Sequence, residues 1–114
     1  MNASAFELNI SLPADARFAH TMRDLAAHAA RYAGSADHDA DRYGDAVMAA
    51  VLGCLNQIPA DDLVPVVLRR GHGPVEFLIG CDRQFETDRS PGGSITIGWT
   101  REDDSFLCRV ALDL

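Results

Sequence analysis

Three kinds of residue in this 114-residue chain have side chains that could do chemistry: four histidines, three cysteines and a crowd of aspartates. His20 and His28 stand eight apart in a segment with helical spacing, so they share one rough face, but no third ligand follows at helical spacing. A solvated helix face is the reading preferred over a metal site. A phosphoacceptor role for His20 would need an exposed place on a helix bundle, and the chain offers one helix pair. His38 lies among Asp37, Asp39 and Asp41. That cluster could hold a cation loosely, but the positive end of a helix dipole accounts for it without one. Cys54, Cys81 and Cys108 are odd in number, match no zinc spacing and each sit in an apolar run, where cysteine acts as a small buried hydrophobe. Arg69, Arg70 and His72 flank a tight turn and form a small basic spot suited to an acidic partner. Asp82 closes an apolar run. No nucleophile elbow, zinc-binding histidine pair or phosphate-binding loop is present, and no metal site is expected.

The bulk numbers narrow the function classes. A net charge of −7 argues against nucleic acid or an anionic membrane as partner, since neither phosphate surface is attracted to an acidic domain. No apolar run reaches the roughly 20 residues of a membrane span. No charged start followed by an apolar stretch marks a signal peptide, so the expected location is the cytoplasm. The length predicts one domain over residues 1–114.

Two periodicities must position these residues. In 5–12, AFELNISL, Phe6, Leu8, Ile10 and Leu12 alternate with polar residues, which predicts a half-buried strand ended by Pro13. Residues 14–33 predict a helix with the stripe Phe18, Met22, Leu25, Ala26, Ala29 and Ala33, stopped by Gly34. A second helix is predicted from about Asp39 to Gln57, capped by Ser35 or Asp37. Its stripe is Tyr43, Val47, Ala50, Val51, Cys54 and Ile58, and it is the more buried of the two. After the turn Pro59-Ala60-Asp61-Asp62 the period becomes two. LVPVVLRR (63–70), PVEFLIGC (74–81), SITIGWT (94–100) and SFLCRVALDL (105–114) read as strands. Gly71-His72-Gly73 joins the first pair and Arg101-Glu102-Asp103-Asp104 the last. The polar stretch 82–93 ends in the turn residues Pro91-Gly92-Gly93.

The expected fold class is therefore α+β, a two-layer sandwich in the order β-α-α-β-β-β-β. Its five-stranded sheet is mostly antiparallel, with both helices on one face. Nothing in the chain covers the other face. Glu76, Thr96, Thr100 and Arg109 suit water there, whereas Leu68, Leu78, Leu107 and Ala111 do not. If those four cluster, that face is a candidate surface for a partner or a homodimer. Trp99 reads as core, or as a partner anchor if it lies on the uncovered face.

This order, with the opening FELNISLPADARFAHTMRDLAAHAARYAG, the Ser- and Asp-rich entry GSADHDADRYGDAVMAAV, the strand VEFLIGCD and the final hairpin SITIGWTREDDSFLCRVALDL, resembles the histidine-kinase-like ATPase domains of the anti-sigma factor and serine kinase type. The resemblance covers nearly the whole chain and implies a truncated Bergerat-like fold, with Arg23 as the arginine of the first helix. In the family the second helix carries a Glu as base, an Asn four residues on for Mg²⁺, and often a His one turn further. Those places fall on Ala49, Gly53 and Gln57. A methyl group takes no proton and a glycine offers no side-chain oxygen to a metal. Shifting the alignment to use Asn56 leaves Leu52 where the Glu belongs. The family's Asp-x-Gly-x-Gly, whose Asp receives the adenine amino group, falls on Asp82-Arg83-Gln84-Phe85-Glu86. Asp82 is retained, while Gln84 and Glu86 replace the glycines. About ten residues stand where the family has a long lid.

Retained shape with lost ligand groups implies a non-catalytic regulatory protein-interaction domain, a pseudo-ATPase that needs no cofactor. Its partner would be a protein, a sigma factor or an anti-anti-sigma-like regulator. Two alternatives are an ATP- and Mg²⁺-dependent anti-sigma serine kinase with atypical motifs, and a dimerising structural module with no nucleotide history.

Overall fold

A computed structural model describes residues 5–59, 62–71, 73–84 and 94–114. The elements run β1 (Phe6–Pro13), α1 (Arg17–Tyr32), α2 (Asp37–Leu55), β2 (Leu63–Arg70), β3 (Val75–Cys81), β4 (Ile95–Glu102) and β5 (Ser105–Leu112). The five strands form one sheet in the order β1-β2-β3-β5-β4, every neighbouring pair antiparallel. The expected α+β class and element order hold, and the sheet is antiparallel throughout. The order departs from a simple meander, because β5 inserts between β3 and β4. The sequence explains the inversion. β5 is apolar on both faces, with Cys108, Val110 and Leu112 on one and Leu107 and Ala111 on the other. β4 carries Thr96, Thr100, Arg101 and Glu102 and tolerates an edge.

One face of the sheet meets the helices. Val64, Val66 and Leu68 of β2, Val75, Phe77 and Ile79 of β3, and Cys108, Val110 and Leu112 of β5 are all buried there. The register shows why: Leu68 pairs with Phe77, Phe77 with Val110 and Ile79 with Cys108, so these side chains share one side of the pleat. Leu68 therefore belongs to the core and not to the uncovered face. α2 supplies Tyr43, Val47, Ala50, Val51 and Cys54 to the same core, as its spacing predicts, while Ile58 is only half-buried. Tyr43 is fully enclosed, and its hydroxyl donates to the Val110 carbonyl at 2.9 Å. Burial pushes that hydroxyl's pKa well above its ordinary value, so it stays protonated.

The helices pack against each other through small residues. Gly44 faces the backbone of α1 so closely that a Cβ there would lie 2.8 Å from the Arg23 carbonyl oxygen and 3.2 Å from the Ala27 Cβ. The buried residues of α1 are Ala19, Met22, Ala26, Ala27, Ala29 and Ala30, a stripe rotated from the predicted one. Phe18 is 36% exposed and Ala33 half-buried. The rotation follows from size, since alanines let α2 approach and the bulky Phe18 is displaced to the flank.

Helix boundaries also differ in detail. Gly34, φ +104°, turns the chain out of α1 just past its cap Ala33, with Ser35 N–H bonding Ala30 O at 2.9 Å and Gly34 N–H bonding Arg31 O at 3.0 Å. α2 begins with Ala36 at the cap position and no side-chain cap bond. Asp37 lies inside the first turn instead, where it pairs with Arg31 at 3.0 Å, and the Ser35 hydroxyl donates to Ala36 O. Arg101 and Glu102 belong to β4, so its turn to β5 is Asp103-Asp104, with Asp103 at φ +49°. No helix among the described residues is long and apolar enough to cross a membrane.

Candidate functional site

The C-terminal turns of α2 lie against the end of β3, which brings the resemblance-derived positions to one end of the domain. Cys54 makes the junction. It is buried, 2.8 Å from the Cys81 sulfur, and its thiol reaches the Gly80 carbonyl at 3.3 Å. Gly53 on α2 and Gln57 in the turn that follows the helix are both half-buried, and Ala49 lies exposed one turn before Gly53. Asp82, Arg83 and Gln84 follow β3 directly and are exposed. The rung Ala49, Gly53, Gln57 presents a methyl group, a hydrogen and a neutral amide. The amide oxygen of Gln57 is buried and accepts no hydrogen bond. Asp82 is the single carboxylate among these positions. Phe85 and Glu86 of its motif and Pro91-Gly92-Gly93 lie outside the described residues, as do His72, Ala60 and Asp61.

The thiols behave as the core reading expects in being buried, yet their mutual placement was not visible in the sequence. The hydrogen bond from Cys81 lowers the pKa of Cys54, while that same bond together with burial raises Cys81. Burial pushes the Cys108 thiol up to about 12. No group of three or more His, Cys, Asp or Glu among the described residues is arranged to hold a metal ion.

The sheet face opposite the helices is built by the alternate residues. Val67 stands opposite Leu78, Gly80 opposite Leu107, and Ala111 between Glu76 and Thr96. Leu78, Leu107 and Ala111 thus share this face, Leu78 and Ala111 buried and Leu107 half-buried, and Thr100 and Arg109 lie on it as expected. The Pro65 ring stands over Gly80, where a Cβ would come within 2.7 Å of it. The β2–β3 ladder spans only Val66–Arg69, so Pro65 falls outside it. One ion network crosses three strands: Glu76 of β3 accepts from Arg69 of β2 at 3.2 Å and from Arg109 of β5. Partial burial pushes the Glu76 carboxyl up, but the two arginines outweigh it and hold the pKa below its ordinary value.

The basic spot divides. Arg69 joins the network on the open face, whereas Arg70 lies on the helix side and bonds the carbonyls of Ala33 and Gly73 at 3.3 Å each. Period two separates neighbours along a strand, so the two arginines cannot act on one ligand. Trp99 stands opposite Cys108 on the helix side, half-buried against the core.

His20, His28 and His38 are exposed on the helices. A cleft of about 300 Å³ runs between α1 and α2, lined by Arg23, Asp24, Ala27, His28, Arg31 and Asp41. Its arginines are neutralised: Arg23 pairs with Asp45 at 2.7 Å, and Arg31 with Asp37 and Asp41. The aspartates at the start of α2 thus tie the two helices together, beyond what the dipole alone asks of them.

No family model matches the chain, and no curated protein matches it.

Proposed function

We propose that this domain is a non-catalytic regulatory module, related in shape to the anti-sigma ATPases, that acts by binding another protein and has no use for ATP. The observation that carries this reading is the rung Ala49, Gly53, Gln57 at the places where the resemblance puts the ligand groups. It holds neither a carboxylate to take a proton nor an oxygen-rich set to receive Mg²⁺.

The partner is a protein that meets the uncovered sheet face. Leu107 is half-buried there beside the buried Leu78 and Ala111, and the network of two guanidiniums on the one Glu76 carboxylate leaves a net positive charge for an acidic partner. A sigma factor or an anti-anti-sigma-like regulator in the cytoplasm is the partner class the resemblance implies. Isothermal titration of the chain with ATP and Mg²⁺ tests the reading. The expected result is no saturable heat; binding with a micromolar dissociation constant overturns it.

A further inference from the structure

Two of the three thiols are in direct contact. Cys54, in the last turn of α2, and Cys81, the last residue of β3, are 27 residues apart in sequence, yet their sulfurs lie 2.8 Å apart. Bonded cysteine sulfurs stand about 2.05 Å apart, so closure takes about 0.8 Å of movement. Both side chains are buried, Cys54 at 0% exposure and Cys81 at 3%, so water does not compete for either sulfur. Asn56, the exposed residue that caps α2, lies two residues beyond Cys54. Helix ends open locally, which gives a small oxidant its entry.

The two thiols are not equivalent. The Cys81 thiol donates to the Cys54 sulfur, and the Cys54 thiol reaches the Gly80 carbonyl at 3.3 Å. A donor on its sulfur favours the Cys54 thiolate, whereas that same bond and burial keep Cys81 protonated. Cys54 is therefore the nucleophile, and Cys81 stands beside it as the second thiol. Cys108 fits neither part. It pairs with Ile79 while Cys81 pairs with Phe106, so Cys108 is only diagonal to Cys81 across the β3–β5 ladder. Diagonal neighbours in a sheet stand roughly 7 Å apart, beyond the roughly 4 Å between Cβ atoms that a disulfide spans.

We propose that Cys54 and Cys81 are a modification site, a thiol pair that a hydroperoxide converts to a disulfide within the chain. The Cys54 sulfur attacks the terminal oxygen of the hydroperoxide. The O–O bond breaks, the Cys54 proton passes to the departing oxygen, and an alcohol (water, for hydrogen peroxide) leaves a sulfenic acid behind. The Cys81 sulfur then attacks the Cys54 sulfur. The S–S bond forms, the S–O bond breaks, and the hydroxyl leaves as water with the Cys81 proton. Two thiols lose two hydrogens and two electrons, and the hydroperoxide takes them up. Because Cys81 already touches Cys54, the sulfenic acid is captured before it can oxidise further. The bond pins the last turn of α2 to the end of β3, where Asp82, Arg83 and Gln84 leave the sheet. It depends on neither a nucleotide nor a protein partner.

Tryptic mapping of the full, reduced chain after treatment with hydrogen peroxide tests this. Each cysteine falls on a different peptide: Cys54 on 43–69, Cys81 on 71–83 and Cys108 on 102–109. The expected product is 43–69 linked to 71–83, an intact mass lower by two hydrogens, and one free thiol in denaturant where the reduced chain has three. Dithiothreitol should restore all three. The bridged chain should melt roughly 10 °C above the reduced one, since the bond closes a loop of 27 residues. Cys108→Ser should form the same bond. Cys81→Ser should stop at a Cys54 sulfenic acid, one oxygen heavier, which dimedone traps on unfolding. If Cys81→Ser fails to fold, the map of the unaltered chain decides alone. Three intact thiols after peroxide, a link through Cys108, a link between chains, a sulfenic acid elsewhere than Cys54, or a bridged chain that melts below the reduced one would each overturn the proposal.

Discussion

Gly44 offers a sharp test of how the helix layer is built, because two effects of known sign oppose each other there. In an exposed helix interior, Gly→Ala stabilises by about 1 kcal/mol through backbone entropy and solvation. At Gly44 the new methyl would sit 2.8 Å from the Arg23 carbonyl oxygen and 3.2 Å from the Ala27 Cβ. The first of these is backbone, which cannot rotate aside, so α1 and α2 must separate. Separation loosens the packing of Ala26, Ala30 and Ala40, all fully buried. Overpacking of this kind costs about 1–3 kcal/mol, so Gly44→Ala should come out between neutral and about 2 kcal/mol destabilised. For a chain of this size 1 kcal/mol is roughly 4 °C in Tm, so the expected fall is up to about 8 °C. Gly44→Val adds two methyl groups and a β-branch to the same gap, and should lose about 3 kcal/mol or more. Thermal unfolding followed by far-UV circular dichroism reads both. A rise of about 4 °C for Gly44→Ala would refute the close crossing, since it is what an open helix position would give.

Two more outcomes follow from the open face and the buried thiols. Glu76 is 19% exposed and held by two arginines that are each more than a third exposed, so Glu76→Gln should cost about 1 kcal/mol at pH 7. Its pKa is depressed in the folded state, so this stabilisation is present above the ordinary value of 4.5 and is lost as pH falls through the depressed one. Urea unfolding of both proteins across this range should show the difference shrinking with acid; a gap that persists unchanged well below pH 3 would count against the network. Cys54, Cys81 and Cys108 are all buried and free, so an aromatic disulfide reagent should label none of them in the native protein and all three in denaturant. Rapid native labelling of any one would contradict the packing at the α2–β3 junction.

The order of elements, the two-layer class and most strand limits were legible in the sequence, because each is fixed locally. Alternation in AFELNISL and VEFLIGC names a strand and its buried side, and Gly34 names the end of a helix through its backbone freedom. The core stripe of α2 was equally plain, since Tyr43, Val47, Val51 and Cys54 fall on one side. The stripe of α1 was misjudged because five alanines carry almost no directional signal, and only the approach of Gly44 decides which of them are covered. That Ala49 and Gly53 carry neither an acid nor an amide was visible at once, being a matter of residue identity.

What the linear chain left open was every choice between equally apolar neighbours. That β5 rather than β4 sits beside β3, that Trp99 and Leu68 face the helices, and that Arg69 and Arg70 part company all follow from register, which joins residues far apart in sequence. The meeting of Cys54 with Cys81, and the binding of Arg31 to Asp37 and Asp41, likewise needed the layers to be assembled. Local spacing sets which side of an element is apolar. Which neighbour that side meets is a property of the packed whole, because burial is shared among elements and no single segment contains it.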